Sequence, residues 1–274
     1  MPLHEALAQA AKALSDVSDT PRLDAEVLMA HALGVTRNEM LLGNRNASCP
    51  DAFAALLDRR LAHEPIAYII GERDFWTISL SVGPGVLIPR ADSETLIEAA
   101  VAHFGERTPN TILDLGTGPG TLLLAALNQF PKAIGLGIDA SETALNYACH
   151  NAEKNGLSAR ATFKQGDWAE EVEGWFDLIL CNPPYVESEA DIDRQVRDYE
   201  PSEALFAGAD GLDDYRRLAP QIARLLGNQN IAVVEIGHDQ ADAVSALFEA
   251  ERLVISIKTD LGGRDRCLIV RRTS

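Results

Sequence analysis

The chain has 274 residues, of which 46% are apolar and 24% charged, so it is long enough for one or two globular domains and too apolar to be disordered. It carries 24 basic and 41 acidic residues, a formal net charge of −17, whereas nucleic-acid binders need a basic surface. We therefore predict that nucleic acid is not a direct partner.

The cellular location of the protein is indicated by the spacing of its cysteines and histidines and by the distribution of its apolar residues. The uncharged stretch 115–131 contains three glycines and two prolines, and the first twenty residues lack the pattern of a signal peptide. The cysteines at positions 49, 149, 181 and 267 are far apart, and the six histidines show no metal-ligand spacing. We predict a cytoplasmic protein with reduced thiols, no membrane association and no metal.

The first 72 residues are predicted to be helical. Apolar residues repeat at helical spacing over residues 3–14. A second helix is indicated by Pro21 at its start and Gly34 at its end, and a third begins near Pro50. This pattern predicts a small helical bundle over residues 1–72.

Residues 73–89 are predicted to form a β-hairpin that links two domains. Residues 75–80 alternate between apolar and polar and are rich in β-formers. Residues 83–85 read Gly-Pro-Gly, a turn signal, and the apolar residues 86–88 follow as the second strand.

Residues 90–274 alternate between apolar strands and helical patterns, which is typical of an α/β domain with a doubly wound, mostly parallel sheet. The prediction is a Rossmann-like, seven-stranded sheet. Its strands are predicted at Ile112–Leu115, Ala133–Asp139, Ala161–Gln165, Phe176–Cys181, Ile231–Ile236, Leu253–Lys258 and Cys267–Arg271.

A glycine-rich loop follows the first of these strands and opens a helix. Its residues are Gly116, Thr117, Gly118, Pro119 and Gly120. Glycines in such a turn allow the backbone to approach a ligand and direct helix N-terminal amides at it. The loop alone is weak evidence, since a purely structural turn has the same composition.

Acidic and aromatic residues follow the next two strands. Asp139 ends the second strand, where an acid accepts the ribose hydroxyl hydrogens of a nucleoside; the alternative is a helix cap, for which Ser141 is better placed. Asp167 and Trp168 follow the third strand, where the indole packs on adenine and the carboxylate accepts from its amino group. The alternative for Trp168 is an ordinary, partly buried side chain.

The motif Asn182-Pro183-Pro184-Tyr185 directly follows the apolar run Phe176–Cys181. Two prolines restrict the backbone and remove two N–H donors, so acceptors dominate here. The Asn182 side-chain oxygen and the Pro183 carbonyl together bind both hydrogens of a planar –NH₂ group, on which Tyr185 stacks. A simple Asn-Pro-Pro turn is the alternative.

Together, these motifs resemble the S-adenosylmethionine-dependent amino-group methyltransferases and, among them, the release-factor N(5)-glutamine methyltransferases of the HemK/PrmC family. The resemblance covers nearly the whole chain. It includes the segments Gly71-Glu-Arg-Asp-Phe-Trp76, Leu87-Ile-Pro-Arg90, Arg197-Asp-Tyr-Glu-Pro201, Asp210-Gly-Leu-Asp-Asp-Tyr-Arg216 and Asp260-Leu-Gly-Gly-Arg-Asp265. Two positions depart from the family pattern: Ala91 replaces a proline, and Pro119 removes one loop N–H.

The resemblance implies that residues 90–274 are the methyltransferase domain. Residues 1–72 carry no catalytic motif yet precede the hairpin, so we predict that they recognise the protein substrate. The resemblance also implies S-adenosylmethionine as cofactor, bound by residues 116–120, Asp139, Asp167, Trp168 and Asn182. Asn182, Pro183, Pro184 and Tyr185 then bind the substrate glutamine in the glutamine loop of a peptide chain release factor, with Asn182, Pro183 and Tyr185 catalytic. We expect a monomer.

Two related reactions remain as alternatives: glutamine methylation of a ribosomal protein and amino-group methylation of a nucleic-acid base, which poses the same chemical problem. A non-catalytic nucleoside-binding module is a third. The charge distribution argues against the base, because residues 167–214 contain 15 acidic and two basic residues, a net charge of −13. This acidic segment surrounds the Asn-Pro-Pro-Tyr motif in sequence.

Overall fold

The computed structural model describes residues 1–43 and 47–273, and by their contacts these form two units. The first unit consists of residues 1–72 together with Ile192–Tyr199. Its helices are α1 (Leu3–Ala13), α2 (Pro21–Leu33), α3 (Arg37–Leu42), α4 (Ala52–Leu61), α5 (Ile66–Ile70) and α9 (Arg194–Tyr199). The predicted helical bundle is confirmed, and Gly34 ends α2 in the left-handed conformation with φ of 67°.

The first unit contains a buried ion pair and includes a segment from late in the chain. The Arg60 guanidinium donates to Asp24 at 2.8 Å, and both side chains are buried. Helix α9 joins this unit because the Tyr199 hydroxyl donates to the carbonyl of Ala62 at 2.7 Å. The sequence analysis assigned residues 192–199 to the α/β domain, predicted over residues 90–274.

The second unit contains a seven-stranded sheet with the order β5-β4-β3-β6-β7-β9-β8, in which β9 runs antiparallel to both of its neighbours. The strands are β3 (Thr111–Leu115), β4 (Ile134–Asp139), β5 (Ala161–Gln165), β6 (Phe176–Cys181), β7 (Leu226–Glu235), β8 (Leu253–Thr259) and β9 (Asp265–Arg272). The predicted Rossmann-like α/β fold is confirmed.

Helices lie between these strands in sequence. They are α6 (Glu94–Phe104), α7 (Thr121–Gln129), α8 (Glu142–Lys154), α10 (Asp213–Leu225) and α11 (Ala241–Ala250), with short 3₁₀ turns at 91–93 and 202–204. The central strands β3 and β6 and residues 231–235 of β7 are almost wholly buried, so the core lies along the middle of the sheet. Apolar side chains of α10 and α11 complete this core.

The observed hairpin differs from the predicted one. It pairs β1 (Glu72–Phe75) with β2 (Ile78–Ser81), and its two-residue turn has Trp76 at a positive φ of 54°. Residues 86–88 form no strand, so that part of the prediction is wrong. The physical reason is that the N–H of Ile88 finds its acceptor in the Glu200 carboxylate at 2.9 Å rather than in a paired strand.

Across residues 1–43 and 47–273, no helix combines the length and the apolar composition that crossing a membrane requires.

Candidate active site

A cleft of about 630 Å³ opens at the carboxyl ends of the central strands. The strand order reverses between β3 and β6, and ligands of open α/β sheets bind at such a switch point. Because Leu115 pairs with Cys181 in the parallel register, the residues that follow each strand, Gly116 and Asn182, lie side by side. Parallel pairing therefore joins two motifs that are far apart in sequence.

The glycine loop lines the cleft and has the backbone conformation that its composition predicts. Gly116 and Gly118 have φ of 69° and 56°, values that side-chain-bearing residues rarely adopt. A Cβ atom on Gly116 would lie 3.0 Å from the Trp168 ring. The loop is held from behind by Asn151 of α8, whose Nδ2 donates to the Pro119 carbonyl at 2.9 Å.

Two carboxylates lie beneath this loop. Both oxygens of Asp139 accept backbone N–H groups, from Gly118 at 2.8 Å and from Ser141 at 2.9 Å. Asp114 is fully buried, with Thr117 and Leu123 both donating to its Oδ2, while its Oδ1 has no hydrogen-bond partner among the described residues. Burial raises the pKa of the Asp114 carboxyl to about 7 and also raises that of Asp139.

Asp167 and Trp168 also line the cleft, and each has a hydrogen-bond partner that the sequence did not predict. The Trp168 indole N–H donates to Asp214 at 3.1 Å. Asp167 Oδ2 accepts from the Arg217 guanidinium at 2.6 Å, so one of its two oxygens is already engaged. Trp168 also packs against the core. It is therefore both a partly buried side chain, which was the alternative to a ligand-binding role, and a residue of the cleft wall.

The Asn-Pro-Pro-Tyr motif begins where β6 ends. Asn182 and Pro184 line the cleft, whereas Pro183 is buried and does not line it. Asn182 Nδ2 donates to Ser93 Oγ at 3.2 Å. The Tyr185 hydroxyl points to Glu235 Oε1 at 3.4 Å, and burial raises the Tyr185 pKa.

Ser93 and Glu235 were not predicted from the sequence. Ser93 lines the cleft just before α6, and its hydroxyl donates to Glu235 Oε2 at 2.5 Å. Glu235 ends the buried strand β7, and burial raises the pKa of its carboxyl to about 7. An acid at the end of an apolar strand is the signal that identified Asp139, and it would have identified Glu235. No sequence signal marks Ser93.

Cys181 adjoins the motif but is confirmed as a core residue. Its side chain is fully buried, and burial raises the thiol pKa well above its ordinary value. A thiol in that state is a poor nucleophile.

Comparisons with solved structures identify the class of fold. The second unit's architecture is that of methyltransferases: a methyltransferase from Pyrococcus furiosus superposes with a TM-score of 0.55 at 18% identity, covering 79% of this chain and 98% of that one. A ribosomal protein L11 methylase from Lactobacillus delbrueckii superposes with a TM-score of 0.50 at 20% identity, covering 67% of this chain and 81% of that one.

Sequence relatives identify the family. Residues 5–71 match the PrmC N-terminal domain and residues 92–199 the methyltransferase small domain. A release factor glutamine methyltransferase of Rhodospirillum rubrum is 45% identical over 93% of this chain and 80% of its own length. Another, of Moorella thermoacetica, is 38% identical over 99% of both chains. The chain belongs to the family of release factor glutamine methyltransferases.

Proposed function

We propose that this chain transfers the methyl group of S-adenosylmethionine to the side-chain amide nitrogen of a glutamine in a peptide chain release factor. The observation that carries the proposal is the place of Asn182 on the cleft wall, beside the glycine loop. The side-chain nitrogen of Asn182 donates to Ser93 Oγ, so its side-chain oxygen remains as an acceptor for an incoming –NH₂ group. The names of the sequence relatives support the same substrate.

The cleft fits this methyl donor, which supplies a methyl group on a positively charged sulfur. Asp139 lines the cleft at the end of β4, where its carboxylate can accept ribose hydroxyls in addition to the backbone N–H groups of Gly118 and Ser141. The second carboxylate, Asp114, is fully buried and supports the loop by accepting from Thr117 and Leu123. The residues we assign to donor binding are Gly116, Thr117, Gly118, Pro119, Gly120, Asp139, Asp167, Trp168 and Asn182.

The chemistry demands positioning more than acid–base catalysis. A carboxamide nitrogen is a weak nucleophile because its lone pair is delocalised into the carbonyl. Asn182 Oδ1 would hold one of its hydrogens and help to turn the lone pair toward the methyl group, with Pro184 beside the plane of the amide. The Pro183 carbonyl, which we assign to the second hydrogen, and Tyr185, which we assign to stacking, do not line the cleft, so the substrate would have to reach them beyond its wall. The nitrogen would gain the methyl group as the methyl–sulfur bond breaks and the sulfur keeps its electron pair as a neutral thioether, and the nitrogen would lose one hydrogen to solvent as a proton. Preorganised polar groups of this kind account for large rate effects.

We assign substrate recognition to residues 1–72, linkage to residues 73–89 and methyl transfer to residues 90–274. The support is that the site residues predicted from the sequence all fall in the last range, while residues 5–71 match a domain found in this family. The linking range also contributes Gly85, Val86, Leu87 and Pro89 to the cleft wall. We expect a monomer that acts on release factors without contacting nucleic acid. The reaction would take place in the cytoplasm, where translation terminates.

The test is incubation with radiolabelled S-adenosylmethionine and, separately, a purified release factor, a ribosomal protein mixture, duplex DNA and ribosomal RNA. We expect label only in the release factor, on one glutamine located by mass spectrometry. The matched control is the release factor with that glutamine replaced by asparagine, which should take up none. Label in ribosomal protein, DNA or RNA and none in the release factor would overturn the proposal.

A further inference from the structure

Three side chains form a hydrogen-bonded chain that runs from the cleft into the core. Asn182 Nδ2 donates to Ser93 Oγ at 3.2 Å, and Ser93 Oγ donates to Glu235 Oε2 at 2.5 Å. The other carboxyl oxygen, Oε1, lies 3.4 Å from the Tyr185 hydroxyl. One buried carboxyl therefore contacts Tyr185 directly and reaches Asn182 through Ser93.

The direction of this chain depends on the carboxylate at its inner end. An ionised carboxylate only accepts hydrogen bonds, so the single Ser93 hydrogen is used on Glu235. Ser93 Oγ then has only acceptor capacity left, and only the –NH₂ side of Asn182 satisfies it. Without the carboxylate, Ser93 could equally donate to Asn182 Oδ1, and the amide would turn its –NH₂ group toward the substrate.

We propose that Ser93 and Glu235 are positioning residues that keep the oxygen of Asn182 turned toward the substrate amide. The inference rests on the proposed glutamine methylation. If the Asn182 amide were reversed, its –NH₂ group would face the –NH₂ group of the substrate glutamine. Asn182 Oδ1 would then no longer accept a substrate hydrogen beside the Pro183 carbonyl. Neither residue touches the reacting atoms: both act through Asn182, and Glu235 also contacts Tyr185 directly.

The surroundings of Glu235 make this arrangement sensitive to pH. Two charged groups, Arg266 and Asp92, interact electrostatically with Glu235. The titratable neutral groups that do so are Tyr185, Tyr215, Cys181 and Cys267. Burial outweighs the favourable Arg266 charge and raises the pKa of Glu235 to about 7. Protonated Glu235 can donate to Ser93, which frees the Ser93 hydrogen for Asn182 Oδ1. Turnover should therefore rise with pH through about 7.

Full-length Ser93→Ala and Glu235→Gln variants test the proposal on intact release factor. Ser93 makes no side-chain cap to α6, so alanine removes only the link to Glu235 and Asn182. We expect Ser93→Ala to lower kcat by about 10- to 100-fold, with KM and the Kd for S-adenosylmethionine within about twofold. Glutamine, like protonated Glu235, can donate to Ser93, so Glu235→Gln should lower kcat at pH 8.5 toward the value that wild type shows at low pH and lose the rise with pH.

Tyr215→Phe is the matched control. Its buried hydroxyl donates at 2.8 Å to the backbone carbonyl of the same Glu235, outside the chain that ends at Asn182. Its kcat should stay within about twofold of wild type, with a lowered Tm. If Ser93→Ala fails to fold, Ser93→Cys, of similar size and a poor donor, replaces it.

Several outcomes would overturn the proposal: a Ser93→Ala kcat within twofold of wild type, an equal loss in Tyr215→Phe, or an unchanged pH profile in Glu235→Gln. Wild-type methylation of release factor is measured first. A wild-type enzyme that leaves release factor unlabelled defeats the proposed function instead, so the two failures are distinguishable.

Discussion

The backbone N–H of Gly118 donates to Oδ2 of Asp139 at 2.8 Å, so the glycine loop after β3 is held by the acid that ends β4. The second oxygen of Asp139 accepts from Ser141, which begins α8. One carboxylate thus joins two structural elements and also lines the cleft. The binding of S-adenosylmethionine and the geometry of the glycine loop therefore depend on the same side chain.

Asp139→Asn should therefore weaken S-adenosylmethionine binding by about 10- to 100-fold, because hydrogen bonds to a charged acceptor are worth about 1.5–3 kcal/mol. Isothermal titration calorimetry measures the change. Asp177→Asn is the matched control, since Asp177 also accepts two backbone N–H groups, from Asn110 and Thr111, at the other end of the sheet. Equal affinities for the Asp139 variant and wild type would contradict the assignment.

Asn182→Ala should leave the Kd for S-adenosylmethionine within about threefold and lower kcat by about two to three orders of magnitude, as for loss of one preorganised polar group. Single-turnover kinetics separates the two effects. Asn230→Ala is the control, because Asn230 donates to the Phe176 carbonyl at the opposite end of β6. Near-normal turnover of Asn182→Ala would show that other groups orient the substrate.

Exposed apolar side chains in the first unit offer a test of substrate recognition by residues 1–72. Leu42 is 90% exposed at the end of α3. Leu42→Ser should raise KM for intact release factor about three- to tenfold through lost apolar contact, and leave KM for a short glutamine peptide unchanged. Trp175→Ser, 76% exposed at the amino end of β6, serves as control. Equal KM values for wild type and Leu42→Ser would remove Leu42 from the recognition surface.

The acidic segment 167–214 should speed the encounter with a release factor that carries basic surface, through charge attraction screened over about 8–10 Å. The value of kcat/KM on intact release factor should fall as salt rises from about 50 to 500 mM, while kcat changes little. Replacing the exposed acids Glu187, Glu189, Asp191 and Asp193 by their amides should flatten this dependence.

Two controls accompany the salt series. Glu249→Gln with Glu251→Gln neutralises exposed acids outside the segment and should keep the full slope. An uncharged glutamine peptide should show almost no salt dependence. If the peptide and the intact protein respond alike, the acidic residues act only as a solvated surface.

Asp114 should make folding stability depend on pH. Its pKa is raised to about 7 in the folded protein, above its ordinary value of 3.8. Its contribution to stability is fully present below the ordinary value and is lost as pH rises toward 7. Between pH 4 and 8, Asp114→Asn should gain stability relative to wild type by up to about 4 kcal/mol, at about 1.4 kcal/mol per pKa unit. Urea unfolding at several pH values measures this difference, and a constant difference would contradict the prediction.

Local patterns in the sequence were enough to predict most of the fold. Strand and helix periods identified β3 to β9 and helical patterns between most of them, because side-chain periodicity and Gly or Pro signals act over a few residues. The same local logic located the glycine loop, Asp139 and the Asn-Pro-Pro-Tyr motif, since each directly follows an apolar strand. Parallel strands end at one edge of a sheet, so these positions converge.

Only the tertiary structure decided which side chains share hydrogen bonds across that edge. Ser93 and Glu235 are 142 residues apart, and their contact depends on how α6 and β7 pack. The hairpin register, the pairing of Asp167 with Arg217 and the place of α9 in the first unit have the same origin. Such contacts depend on packing between distant segments, and sequence periodicity carries no information about them. The side chain that holds Asn182 could be recognised only once the chain was folded.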